Sequence, residues 1–208
     1  MVVEESHSLG VLGPTGRGVS EHFGLEPRDI DILIASLSPA LSSVGGICAG
    51  SHLVCDHQRL NGAGYVFSAS LPPFLATAAL RGLDLLRGDP GLAGRARANA
   101  AELRTALAGA PGLLPVAGAM DAPVLQLRLA GADDEAAHRE VAAALLEDGV
   151  LVDVPARSPL EAKGGSPWAP PPALRLFVGA AHEPADLIRA AACVRRHVAQ
   201  VAGAAGRA

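Results

Sequence analysis

Residues 29–73, DIDILIASLSPALSSVGGICAGSHLVCDHQRLNGAGYVFSASLPP, constrain the fold of this chain more than any other stretch. Residues 30–37 form an apolar run short enough for a buried strand. The double glycine Gly45–Gly46 then marks a sharp turn or a close backbone approach. A polar, histidine-bearing segment leads into FSASLPP. There Pro72 and Pro73 suit a helix start, because the N–H groups they lack would have no partner in a first turn. The helix they open carries Leu75, Ala79, Leu83 and Leu86 at helical spacing and ends near Gly88. After Asp89 and Pro90 a second helix is expected over 91–108, stopped by Gly109 and Pro111–Gly112.

Upstream, residues 2–4 read as a strand that runs into GVLGPTGRG at 10–18, with four glycines in nine residues. Such a loop can cradle a phosphate on its backbone N–H groups, but no GK[ST] follows, so it is no nucleotide P-loop; a tight surface loop is the favoured reading. A polar connector at 26–29 precedes the 30–37 strand. Residues 42–50 turn into another strand, 51–60 form a short helix or loop, and 65–68 a short strand. Downstream, 124–129 alternates as a strand. Asp133 or Asp134 caps a helix reaching Asp148, with Val141, Leu145 and Leu146 on one face and Gly149 ending it. A second strand is expected at 150–154 and a third at 174–179, separated by residues 156–172, too rich in Pro and Gly to be regular. Pro184 opens a last helix bearing Leu187, Ile188, Ala191, Val194, Val198 and Val201, and the tail after Gly203 is expected to fray. There are no internal repeats.

The 208 residues suffice for one large domain or two small ones. Half are apolar but only 3% aromatic, so Ala, Leu and Val must fill the interior. A formal charge of −4 gives no basic footprint and argues against nucleic acid. No apolar run approaches the ~18 residues of a membrane span, and no signal-peptide pattern opens the chain. Cys48, Cys55 and Cys193 are odd in number and form no CxxC, which fits free buried thiols in a reducing compartment. A chain that opens inside a strand is expected to begin partway through its fold, since parallel strands have neighbours on both sides.

The phrases DHQRL and GYVFSASLPP resemble the first long-chain-base subunits of serine palmitoyltransferase. These form a branch of the α-oxoamine synthase family of fold-type I pyridoxal-phosphate enzymes, and the match is to roughly the C-terminal half of the family's chain. The resemblance implies an α/β fold, a partial fold-type I PLP-dependent transferase. Residues 1–72 would be the end of the large-domain sheet, 73–112 the connector helices, 113–203 a small C-terminal α/β domain and 204–208 a tail. It further implies a complex that condenses L-serine with palmitoyl-CoA at the endoplasmic reticulum membrane. In that complex the catalytic long-chain-base subunit 2 is the partner and holds the pyridoxal phosphate.

Pyridoxal-phosphate chemistry needs a lysine amine. The single lysine, Lys163, sits in EAKGGSPWAPPP, away from any expected strand end. The resemblance places the family's lysine six residues before the double glycine, in a T-x-x-K pattern, where this chain has Pro39 within Ser36–Leu37–Ser38–Pro39. Proline offers no amine, so no catalytic residue is assigned, which is the pattern of the non-catalytic subunit. The family's D-E-A-H, an aspartate under the pyridine nitrogen and a histidine near the ring, reads Glu4–Glu5–Ser6–His7. His7 is thus a cofactor-side candidate, while Glu4 sets its carboxylate about one methylene too far. A strand-end acid with a hydrogen-bonded histidine is the preferred reading. In LRLFVGAAHEPADL, Arg175 occupies the position of the arginine that holds the substrate carboxylate. An internal or interface ion pair is favoured for it. Ser68 and Ser70, flanking Ala69 where threonine is typical, are candidates to reach the partner's cofactor phosphate, against a plain strand-to-helix cap.

Cys48, His52, Cys55 and His57 have metal-binding residue types, but their spacing fits no common zinc site, and no metal is assigned. Asp56, His57 and Arg59 read as a polar patch, with buried hydrogen bonding as the default. His22, His138, His182 and His197 form no constellation, and G-x-S-x-G is absent. The alternatives to a supporting subunit are a self-sufficient PLP-dependent α-oxoamine synthase and a non-enzymatic interaction fragment.

Overall fold

Strands β1 (Val2–Glu4) and β2 (Ile32–Ser36) run parallel, with Val2 opposite Ile32 and Glu4 opposite Ile34. On the other side of β2, β3 (Gly46–Gly50) lies antiparallel, with Ser36 opposite Gly46. These and the following elements come from a computed structural model that describes residues 1–132, 135–156 and 170–205. Lys163, Asp133 and Asp134 lie outside the described residues, as does most of the proline-rich stretch.

The β1–β2 connection holds the glycine loop, the helical turn α1 (Val19–His22) and a 3-10 turn at Pro27–Asp29. The glycine loop is tight, as favoured. The N–H groups of Gly10, Gly16 and Gly18 donate to the carbonyls of Gly16, Gly13 and Leu12. Those of Thr15 and Arg17 donate to the Glu21 carboxylate at 3.0 and 3.1 Å, so the loop's donors are spent on the chain itself.

Beyond β3, Ser51 caps α2 (His52–Asn61), its hydroxyl accepting the Val54 N–H. The strand expected at 65–68 is instead a helical turn, α3 (Ala63–Val66). The N–H groups of Tyr65 and Val66 donate to the Gly62 carbonyl and that of Phe67 to Ala63, which takes these three away from a ladder. Helix α4 (Pro73–Gly88) starts at the expected prolines. It buries Ala79 against Leu37 and Leu41, with Leu83 and Leu86 packed alongside.

Helix α5 (Gly91–Leu107) follows, and within it the chain divides into two compact units, Met1–Arg95 and Ala96–Ala208. In the second unit, β4 (Val124–Leu127) pairs antiparallel with β5 (Leu174–Phe177), placing Leu125 opposite Leu176 and Leu127 opposite Leu174. Helices α6 (Glu135–Glu147) and α7 (Pro184–Ala205) complete a core that includes Leu107, Leu125, Leu127, Val141, Leu145, Val194 and Val198. The strand expected at 150–154 does not form. The Val150 N–H closes the end of α6 on the Leu145 carbonyl at 2.8 Å, with Gly149 at φ +77°. Only Asp153 then pairs with β5, and Pro155 follows without an N–H to extend the ladder.

Candidate functional site

Parallel pairing puts the C-terminal ends of β1 and β2 at one end of the sheet, together with the start of β3. The Glu4–His7 turn and the Ser36–Pro39 segment meet there. The Ser36 N–H donates to Ser6 Oγ at 2.7 Å, and Glu4 accepts the Ser6 N–H at 3.1 Å as well as the Ser6 hydroxyl. Glu4 is therefore a strand-end acid turned onto its own loop, while His7 is exposed in the turn. Pro39 is exposed in the turn beyond β2.

Glu5, by contrast, is fully buried. Its carboxylate accepts the N–H groups of Val19 and Ser20 at 2.8 and 3.2 Å and the Ser8 hydroxyl, tying the glycine loop to the end of β1. Glu21, in the same loop, is pushed up by burial, but hydrogen bonds from the Thr15 hydroxyl and the Arg17 and Thr15 N–H groups hold its carboxyl below the usual range.

The FSASLPP turn comes to the same end of the sheet. Gly45, at φ +112°, lies so close to the Leu71 side chain that a Cβ there would approach it to 2.7 Å. The Ser43 hydroxyl donates to the Leu75 carbonyl at 2.7 Å. Ser68 donates to the Gly64 carbonyl, which caps α3, and both Ser68 and Ser70 are exposed. Sequence reasoning named the double glycine and the serine turn but missed that Leu71 and Ser43 join them. Neither carries a local signal, since the contact spans a long stretch of chain.

Arg175 belongs to the second unit. It exchanges both backbone hydrogen bonds with Asp153 (2.9 and 2.6 Å), and its guanidinium lies 3.7 Å from the Asp153 carboxylate. Asp153 went unremarked in the sequence because it sat in an expected strand.

The cysteines and histidines of α2 and β3 make local contacts. Gln58 donates to Cys48 Sγ at 3.1 Å, the Cys55 thiol faces the Gly50 carbonyl at 3.8 Å, and His57 lies beside Asn61. Asp56 pairs with His52 (3.2 Å) and Arg59 (3.3 Å) on a solvent-facing surface, not in the buried network expected. The thiols also differ from expectation: Cys193 is buried, but Cys48 is exposed and Cys55 half-buried. Among the described residues, no helix is long and apolar enough to cross a membrane.

A parallel strand pair with loop-borne polar groups at its C-terminal ends, followed by long helices and a separate sheet-and-helix unit, defines an α/β protein of the kind that sites its chemistry at strand ends. The chain belongs to the family Aminotransferase class I and II, which it matches over residues 1–194. It is 40% identical over 207 residues to Long chain base biosynthesis protein 1c of Oryza sativa subsp. japonica, a match covering 97% of this chain and 42% of that protein. It is 43% identical over 142 residues to Serine palmitoyltransferase 1 of Dictyostelium discoideum, covering 67% of this chain and 30% of that one. Among solved structures it is similar to SPT with a PLP internal aldimine (TM-score 0.79, 29% identity, 97% of this chain and 48% of that chain). It is also similar to the Sphingomonas wittichii serine palmitoyltransferase (TM-score 0.78, 26% identity, 98% and 48%). The chain thus spans about half the length of these relatives. The resemblance read from DHQRL and GYVFSASLPP holds, and so does the α/β class.

The residues at the strand ends do not fit a covalently held pyridoxal phosphate. Pro39 has no amine, and no lysine occurs in the chain besides Lys163, so no step is assigned to that cofactor on this chain.

Proposed function

We propose that this chain is a supporting, lysine-less subunit of a serine palmitoyltransferase. The complex joins L-serine to palmitoyl-CoA, releasing carbon dioxide and CoA and yielding 3-ketosphinganine, the first step of sphingolipid synthesis. Its partner is the catalytic long-chain-base subunit 2, which brings the lysine and the pyridoxal phosphate, and the complex works at the endoplasmic reticulum membrane. The observation that carries this reading is Pro39, placed in the turn after β2 where a cofactor-binding lysine is expected by resemblance. The names of the rice and Dictyostelium relatives support it.

When bound, pyridoxal phosphate supplies an electron sink for the carbanion formed at the serine α-carbon. This chain's share is positional. Ser68 and Ser70 stand exposed on a turn braced by Leu71 against Gly45, and they contact the partner's cofactor phosphate in trans. His7 lines the same end of the sheet. Arg175, engaged with Asp153, supports the small unit rather than holding substrate.

Borohydride treatment of the chain co-purified with its catalytic partner tests this. Pyridoxyl is expected on the partner alone. Pyridoxyl fixed on this chain would make it self-sufficient, and failure to co-purify would make it a non-docking fragment.

A further inference from the structure

We infer that a cleft in the second unit binds a fatty carboxylate, a single unbranched apolar tail carrying an anionic head. Such a site goes beyond the proposed function and does not rest on it.

The cleft exists because the segment after α6 joins β5 at a single point. Asp153 bridges to Arg175, and continuing that antiparallel register would set Leu151 opposite Phe177, where the ladder does not extend. The space left measures about 350 Å³, within the ~300–1,000 Å³ of small-molecule sites. It reaches down to the core, since Leu103, Leu176, Val178 and Leu187 line it and each is at most 6% exposed. Leu151, 82% exposed, and Phe177, 49% exposed, line it as well, so two large apolar side chains stand in water beside an open slot. A polymethylene tail laid there covers both, and each methylene it buries tightens binding by about fourfold.

The polar residues of the cleft select the head group. Among the described residues the Arg189 guanidinium makes one long hydrogen bond, 3.4 Å to the Gly149 carbonyl, and no ion pair, so its donors are open to a carboxylate. His182 accepts the Gly179 N–H on Nδ1 at 3.0 Å, which leaves the ring proton on Nε2 as a further donor. Asp186 is the one acid among the described lining residues, and its carboxylate accepts the Glu183 N–H at 3.1 Å. Donors therefore outnumber open acceptors, which suits an anion and disfavours an amine.

The test titrates dodecanoate into the full 208-residue chain at neutral pH by calorimetry. Saturable one-to-one binding is expected, with amide exchange slowed by about fivefold or more at Val150, Leu151 and Val178 and unchanged in α2. Arg189→Gln should weaken dodecanoate about tenfold and leave dodecanol within about twofold, because it removes only the head-group contact. Leu151→Ser should weaken both ligands about tenfold by cutting back the apolar wall. Both positions are exposed, so both variants are expected to unfold at the wild-type temperature. No saturable binding, dodecylamine binding as tightly as dodecanoate, protection outside the second unit, or either variant binding like wild type would each overturn the inference. Co-purification with a catalytic partner is unaffected by any of these outcomes.

Discussion

Arg175 and Asp153 are joined three ways, by a reciprocal pair of backbone hydrogen bonds and by a 3.7 Å ion pair. The arginine's side chain is 28% exposed and the aspartate's 52%, so the ion pair itself contributes at most about 1 kcal/mol. Arg175→Met and Asp153→Asn are expected to lower the stability of the second unit by similar small amounts, since neither removes the backbone pair. In a reconstituted complex, Arg175→Met should leave the KM for serine unchanged. A rise in that KM of tenfold or more would restore the substrate role that the sequence position suggests.

Glu5 and Gly18 are matched in the same way. Gly18 has φ +95° and ψ −160°, and a Cβ there would land on the Glu5 carboxylate. Glu5→Ala would orphan the N–H groups of Val19 and Ser20, at a cost of about 2–3 kcal/mol. Gly18→Ala should cost as much through backbone strain and collision. Denaturant unfolding of both variants checks this, and amides of the glycine loop are expected to lose protection before those of α6.

The positions of α4, α6 and α7 were legible because Pro72–Pro73, Pro184 and the glycine after α6 punctuate apolar residues at helical spacing, and that of α5 because Asp89–Pro90 and Gly109 bracket it. The two failed strands have different causes. At 65–68 the N–H groups of Tyr65, Val66 and Phe67 close a helical turn. At 150–154 the Val150 N–H closes α6, and the single Asp153 bridge is followed by Pro155, which has no N–H. Local composition reveals neither. The candidate site was legible in its motifs and not in its joints. Ser6 to Ser36, Ser43 to Leu75 and Arg175 to Asp153 are long-range partners that no spacing rule connects.

Asp148 ends α6 against α7, where His197 Nε2 lies 2.5 Å away and Arg196 pairs with the same oxygen. The His197 hydrogen bond, and then that from Arg196, hold its carboxyl below the usual carboxylate range. A carboxylate depressed in the folded state stabilises fully above its unfolded value of ~3.9, and this contribution is lost as pH falls through the folded value. Wild-type protein should therefore lose stability more steeply below pH ~4 than Asp148→Asn. Thermal unfolding across acid pH measures the difference, and parallel acid limbs for the two proteins would exclude the mechanism.

Arg104 is only 4% exposed, yet among the described residues its hydrogen-bond partners are carbonyls rather than a carboxylate. Its guanidinium donates to the carbonyls of Ala117, Ala122 and Val124, while Nε has no partner. Burial lowers its pKa, and Asp121 acts in the opposite direction. The side chain thereby fastens the 117–124 loop to α5. Arg104→Met is expected to destabilise the second unit by about 3 kcal/mol, because the three carbonyls lose their donor. Arg104→Lys should recover only part of this, since an ammonium cannot span three acceptors as the planar fork does. Full recovery by lysine would show that charge rather than geometry fastens the loop.

Ser68 and Ser70 bear most directly on the proposed function, because each is exposed on a turn whose backbone is fixed from within by Leu71 and Gly45. A turn held that way can present two hydroxyls to an anion without further ordering, which keeps the entropic cost of the contact low. The double variant Ser68→Ala/Ser70→Ala is expected to weaken pyridoxal-phosphate binding by the catalytic partner by about tenfold or more, the loss of at least one hydrogen bond to a charged group. Assembly of the complex should be unaffected. Ser68→Ala alone also removes the hydroxyl's bond to the Gly64 carbonyl, so Ser70→Ala serves as the cleaner single variant. Titrating cofactor into the apo complex, with and without the substitutions, gives the comparison. Identical affinity for the double variant would leave the turn as a cap for α3 and α4, and the trans contact would have to be abandoned.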